Sequence, residues 1–139
     1  MSNPLSLFDI SGKSALVIGA TGAFGSAGAT ALAQMGCDVT LADMDAGKLD
    51  ALASDLDGHD GRIRTVCAIP DTEAAAATIV DTAVSAHGTL DMMFVATGLN
   101  DVGYIEEQPY ENWRAVMHAN LDGYWLACQA AGRHFAERP

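Results

Sequence analysis

Four short apolar runs, each followed by a stretch with helical spacing, constrain this chain more than any other feature. Residues 14–19, 38–42, 62–68 and 90–96 read as strands, and residues 25–35, 45–56, 72–87 and 109 to about 137 as helices. The runs Ala15-Leu16-Val17-Ile18 and Met92-Met93-Phe94-Val95 are apolar on both faces, which suits a parallel sheet covered by helices on each side. The helix ends agree. Gly36 and Gly88 follow helical runs where a left-handed residue closes the last turn, and Pro109 stands where a first-turn proline is tolerated. The expectation is an α/β chain with one core, since 139 residues suffice for one ordinary domain and not for two.

Immediately after the first strand comes Gly19-Ala20-Thr21-Gly22-Ala23-Phe24-Gly25, opening a helix of small residues. Glycines at three-residue spacing in a strand-to-helix turn permit the tight turn and let a pyrophosphate approach the backbone. The helix N-terminus supplies unpaired N–H donors and partial positive charge. Asp43 ends the second strand eighteen residues beyond Gly25, where a carboxylate can accept hydrogen bonds from an adenosine ribose. It would repel a 2′-phosphate, and neither Met44 nor Asp45 is basic, so NAD is expected over NADP. Two other readings stay open: a structural turn with no ligand, and Asp43 as the N-cap of the next helix.

Trp113, Val116, Met117, Asn120, Tyr124, Ala127 and Ala131 share one face of the last helix, so Asn120 is a polar residue aimed at the sheet. The residues alone leave a catalytic amide and an amide tying the helix to neighbouring backbone equally open. His59, His87, His118 and His134 share no metal-ligand spacing, and His118 is assigned to a different face from Asn120. Asp55, Asp57 and Asp60 lack the glutamate that closes a calcium loop and read as solvated, as do Glu106 and Glu107. No metal site is expected. Cys37, Cys67 and Cys128 lie in apolar contexts without a Cys-x-x-Cys pair and are expected to be reduced core thiols. A formal net charge of −11, acidic in both halves, argues against nucleic-acid partners. Neither a membrane span nor a cationic-then-apolar leader is visible, which makes cytoplasm the default expectation.

Several segments together resemble the short-chain dehydrogenase/reductase family. They are Phe8-Asp9-Ile10-Ser11-Gly12-Lys13-Ser14-Ala15-Leu16-Val17, the glycine loop, Leu32-Ala33-Gln34-Met35-Gly36-Cys37-Asp38-Val39, His87-Gly88-Thr89-Leu90-Asp91 and Trp113-Arg114-Ala115-Val116-Met117-His118-Ala119-Asn120-Leu121. The resemblance runs from about Leu5 to the C-terminus. It implies an NAD(P)-dependent oxidoreductase transferring a hydride between nicotinamide and a small alcohol or carbonyl substrate. The fold implied is a partial Rossmann-like doubly wound parallel sheet of order 3-2-1-4, stopping after the helix that follows the fourth strand. Residues 1–139 would form one NAD(P)-binding domain. The implied cofactor-binding residues are Gly19, Thr21, Gly22, Ala23, Phe24, Gly25, Asp43, Met44, Ala68, Ile69, Ala96, Thr97 and Gly98. Asn120 would be catalytic, holding a water in the proton relay.

The chain departs from the family pattern at four places. Ala23 stands where the middle glycine usually falls, with Gly22 beside it. Ala68 stands where an aspartate usually touches adenine, and Val95-Ala96-Thr97-Gly98 replaces Asn-Asn-Ala-Gly. The family's Ser and Tyr-x-x-x-Lys set lies beyond the last helix; here the only lysines are Lys13 and Lys48, and neither Tyr104 nor Tyr110 has a lysine four residues on. This chain alone is therefore expected to be inactive. The alternatives are a non-catalytic dinucleotide-binding module and an inactive truncated fragment. With order 3-2-1-4 the fourth strand is an apolar edge, so the chain is expected to aggregate, form a homo-oligomer or pair with a complementary C-terminal segment.

Overall fold

The structure is a computed structural model that describes residues 4–138. A 3₁₀ turn, Pro4–Phe8, precedes β1 (Ser14–Ile18), α1 (Ala23–Gln34), β2 (Asp38–Asp43), α2 (Ala46–Asp55), β3 (Ile63–Cys67), α3 (Glu73–His87), β4 (Met92–Val95) and α4 (Tyr110–Met117). A π-helical segment, His118–Asp122, joins α4 to α5 (Gly123–Glu137). The four strands form one parallel sheet in the order β3-β2-β1-β4, as the resemblance implies.

β1 is central because all five of its residues are buried. Leu16 and Ile18 point to one face, where Ile79, Val80 and Ala83 of α3 and Ala127 and Ala131 of α5 cover them. Val17 points to the other, packed with Ala29 and Ala33 of α1, Leu49 of α2 and Val39 and Leu41 of β2. Period-two side chains on a strand with apolar residues in both registers require this double cover. The small residues of α1 let it lie close to the sheet; a Cβ on Gly28 would stand 2.6 Å from the Phe94 ring.

β4, apolar in both registers, is the edge strand that the order 3-2-1-4 implies: only β1 pairs with it, it is only partly covered, and Phe94 is 40% exposed. Two corrections to the sequence reading concern the fold. The last helix is not continuous: the π segment interrupts the predicted stripe at Asn120 and shifts everything after it. Of the cysteines, all free, only Cys37 is buried; Cys67 ends the edge strand β3 and Cys128 lies on the outer side of α5. Gly36 and Gly88 have φ of +77° and +85°, as their helix-closing positions require. Among the described residues no helix is long and apolar enough to cross a membrane.

Candidate dinucleotide cleft

Parallel strands end together at one edge of the sheet, and a doubly wound sheet opens a crevice there where neighbouring connections run to opposite faces. In this chain β1 leads into α1 on one face and β4 leads towards α5 on the other. A cleft of 470 Å³ lies at that edge. It is lined by Gly19, Thr21, Gly22, Asp43, Met44, Lys48, Ile69, Pro70, Asp71, Ala96, Thr97, Gly98, Leu99, His118, Ala119 and Gly123.

One wall is backbone. Gly19 leaves β1 at φ +77°, and its N–H and that of Ala20 donate to the Ala42 carbonyl at 2.8 and 3.1 Å. A Cβ on Gly19 would stand 2.7 Å from the Thr97 nitrogen, and one on Gly25 would collide with the Gly19 carbonyl. These two glycines are therefore demanded by the fold of the loop itself. Gly22 is different: its φ is −74° and a Cβ there would meet nothing nearer than the Gly19 oxygen at 3.5 Å. The chain's own packing does not require glycine at that position, and the space a side chain would take belongs to the cleft. Gly22 caps α1 without a side-chain acceptor, so the first-turn N–H groups of Ala23, Phe24 and Gly25 have no helical partner. Unpaired N–H groups at the positive end of a helix are able to hold an anion.

The second strand closes this wall. Asp43 accepts from the Thr21 N–H at 3.0 Å with one carboxylate oxygen and from the Met44 N–H at 2.7 Å with the other. Each oxygen keeps a lone pair for a further donor. Asp43 is not the cap of α2; that is Asp45, which accepts from the Lys48 N–H at 3.0 Å and leaves Asp43 facing the cleft.

The other wall is held by side chains. Ala96 donates to the Ile18 carbonyl at 2.7 Å as the last tie of β4 to β1, after which the loop leaves the sheet. Tyr124 then donates to the Thr97 carbonyl at 2.8 Å. The Asn120 amide clamps Leu99 from both sides, accepting from its N–H at 2.7 Å and donating to its carbonyl at 2.8 Å. The backbone-tying alternative for Asn120 is thus realised in the geometry. Gly123 lets α5 approach the loop after β3, with a Cβ there 3.3 Å from the Pro70 carbonyl. The Thr97 hydroxyl is buried beside the cleft without a hydrogen-bond partner, an acceptor and donor available to a bound group.

Nine of the expected residues line the cleft: Gly19, Thr21, Gly22, Asp43, Met44, Ile69, Ala96, Thr97 and Gly98. Ala23 and Gly25 follow the lining residue Gly22 at the start of α1 without lining the cleft themselves, and Asn120 acts on its wall through Leu99. Phe24, 82% exposed, and Ala68, packed against the core, do not line it. His118, which the helical spacing puts on a different face from Asn120, lines the cleft while Asn120 does not, and its Nδ1 lies 3.2 Å from the Asp122 carboxylate. Lys48 and Asp71 also line the cleft unforeseen. Lys48 sits on the first turn of the helix after the acidic residue, a position where a long side chain can turn back to the cleft. Among the described residues no three His, Cys, Asp or Glu side chains are grouped to hold a metal ion.

Comparison with known proteins gives the same picture. The family model for short chain dehydrogenases matches residues 13–139. An uncharacterised oxidoreductase of Mycobacterium tuberculosis is 40% identical over 134 residues, covering 96% of this chain and 49% of that protein. A D-threitol dehydrogenase of Mycolicibacterium smegmatis is 32% identical over 131 residues, covering 94% and 50%. A short-chain type dehydrogenase/reductase from Mycobacterium marinum superposes with a TM-score of 0.93 at 26% identity, covering 98% of this chain and 55% of that one. A Burkholderia cenocepacia short chain dehydrogenase in complex with NADP superposes at 0.84 with 28% identity, over 91% and 52%. The chain spans about half the length of the curated relatives it matches.

Proposed function

The chain belongs to the short-chain dehydrogenase family, and on that premise we propose that it supplies the dinucleotide-binding part of an NAD(P)-dependent oxidoreductase acting on a small alcohol or carbonyl compound. When bound, the nicotinamide accepts or gives the hydride. The observation that carries this reading is the cleft lined by Gly19, Thr21, Gly22 and Asp43 at the start of α1, whose first turn has no side-chain cap. Three first-turn N–H groups would hold the pyrophosphate there. Asp43, fixed by Thr21 and Met44, would accept the ribose hydroxyls and disfavour a 2′-phosphate, so NAD is the preferred cofactor in this reading. Ile69 and Pro70 offer the adenine an apolar wall, and the Thr97 hydroxyl gains a partner when the cleft fills.

Asn120 is the chain's contribution to proton movement. Its clamp on Leu99 uses one hydrogen and one lone pair, which leaves Nδ2 one further hydrogen and Oδ1 one further lone pair for a water. A serine, tyrosine and lysine set from a further segment would complete the chemistry, so the chain alone is inactive in this reading. The outer edge of β4, which has no neighbouring strand and carries Phe94 at 40% exposure, is where such a segment or a second copy would pair. The atypical glycine loop, Ala68, Val95 and Ala96 favour a second reading, a dinucleotide-binding module without turnover.

Calorimetric titration with NADH tests the proposal: saturable binding is expected, weakened by Asp43→Ala. Asp43→Asn keeps one acceptor for the loop and separates loss of the ribose contact from collapse of the turn. Absence of saturable heat for a folded protein would overturn the cofactor reading. Binding without turnover by the full-length enzyme would favour the second one.

A further inference from the structure

Lys48 is the one lysine or arginine among the residues lining the cleft. It lines the cleft together with Asp43 and Met44. Its ammonium lies 3.4 Å from one carboxylate oxygen of Asp45, while the other oxygen of Asp45 accepts the Lys48 N–H at 3.0 Å to cap α2. The helix cap therefore also anchors the cation. Both side chains remain largely in solvent, at 69% and 43% exposure, so the pair is weak and the lysine can exchange partners. A four-carbon stem with three rotatable donors suits such an exchange, and a phosphate dianion is a stronger competitor than a single carboxylate.

We propose that Asp45 acts as a positioning residue for cofactor selectivity: by holding Lys48 it leaves Asp43 alone to face the ribose 2′ position, and releasing Lys48 supplies the partner a 2′-phosphate needs. This rests on the reading of the cleft as a dinucleotide site and assigns the control of its selectivity to a residue that does not itself line it. Asp43 disfavours the phosphate directly, whereas Asp45 withholds the cation that would offset Asp43.

The test compares NADH and NADPH affinity, by calorimetry on the protein at its native length, for the unmodified chain, Asp45→Asn, Lys48→Ala and the double variant. Asparagine still caps α2, so Asp45→Asn removes the anchor and keeps the helix start; thermal melting checks this. Asp45→Asn is expected to raise NADPH affinity about threefold to fivefold relative to NADH, the scale of one exposed ion pair. The gain should vanish when Lys48 is also alanine. Lys48→Ala alone should lower the NADPH-to-NADH affinity ratio only slightly, because Asp45 already withholds the lysine. A gain that persists without Lys48 would mean that Asp45 acts through its own charge and would overturn the proposal, as would an unchanged cofactor ratio in Asp45→Asn. Binding of neither cofactor by any of the four folded proteins would remove the dinucleotide reading itself, and this inference with it.

Discussion

The two walls of the cleft are built differently. On the β2 side the chain turns through Gly19 and Gly25, and the geometry is set by main-chain contacts too close to admit a Cβ. Val39, Thr40, Leu41 and Ala42 behind it are wholly buried. On the β4 side the loop leaves an edge strand whose Phe94 is 40% exposed, and its course depends on hydrogen bonds from Tyr124 and Asn120. A wall of backbone is rigid but intolerant of substitution; a wall held by side chains can be adjusted one bond at a time. Of the family departures, Val95, Ala96 and Thr97 fall on the second kind and Ala23 on the first, where Gly19 and Gly25, the two glycines the loop demands, are kept.

The largest expected effect breaks the backbone wall. Gly25→Ala sets a methyl against the Gly19 carbonyl, with neither partner a flexible side chain. Denaturant unfolding should show a loss of about 3 kcal/mol or more, the scale of forced overpacking. An effect below about 1 kcal/mol would mean that the loop relaxes freely and that the contrast between the walls is false.

The side-chain wall should yield in smaller steps. Asn120→Ala removes two hydrogen bonds to Leu99 that lie near solvent, so water replaces part of what is lost; about 1–2 kcal/mol is expected in unfolding. Tyr124→Phe removes the bond to the Thr97 carbonyl and should cost about 1 kcal/mol. Because Asn120 and Tyr124 hold the same loop, their double variant should depart from additivity.

How far the sequence discloses this arrangement follows the same division. The strands, the helix-closing glycines and the backbone wall are legible because each depends on local rules: strand periodicity, left-handed caps, and turns that only glycine can make; the sheet order is non-local and comes only from the family resemblance. Lys48 and His118 are not legible in that way. Their arrival at the cleft depends on where α2 and the π segment place long side chains, and no period in the chain encodes an inserted π turn. Cys67 shows the same limit: an apolar context in sequence becomes an exposed end of an edge strand once β3 has no outer neighbour. Asp43 and Asp45 are both acidic residues at the end of β2, and only the hydrogen bonds tell cap from cleft.

At the opposite end of the sheet, acid should report on the β2 side independently of any ligand. The His87 ring is 1% exposed, with Nε2 3.0 Å from the Thr40 hydroxyl and Nδ1 3.9 Å from Asp38, which Arg62 already engages at 2.7 Å. Burial holds His87 below the ordinary imidazole value of 6.5, outweighing the attraction of Asp38; Arg62 adds to the lowering. The folded state thus binds fewer protons than the unfolded one, and stability should decline as pH falls from 6.5 towards the depressed folded value. Asp38, lowered first by its hydrogen bonds from Arg62, adds a second decline as pH falls through the carboxylate range below 3.8. Unfolding midpoints against pH should show both limbs. His87→Gln should flatten the upper one and leave the lower one in place.

The smallest expected effect on stability is the most informative about function. Gly22 and Gly25 lie in one loop, three residues apart, and the fold demands only Gly25. Gly22→Ala keeps an extended φ of −74° and meets the Gly19 oxygen at 3.5 Å, an ordinary contact. The unfolding free energy should change by no more than about 0.5 kcal/mol, since alanine is a poorer N-cap than glycine but, at a φ it adopts freely, lowers the entropy of the unfolded chain by a comparable amount. Its methyl, however, occupies space beside the free N–H groups of α1, so affinity for NADH should fall while the fold stands. Gly25→Ala should lose both together. Loss of affinity with stability intact at Gly22 would identify a glycine kept for the ligand rather than for the chain; unchanged affinity would place the pyrophosphate away from this turn and shift attention to the wall after β4.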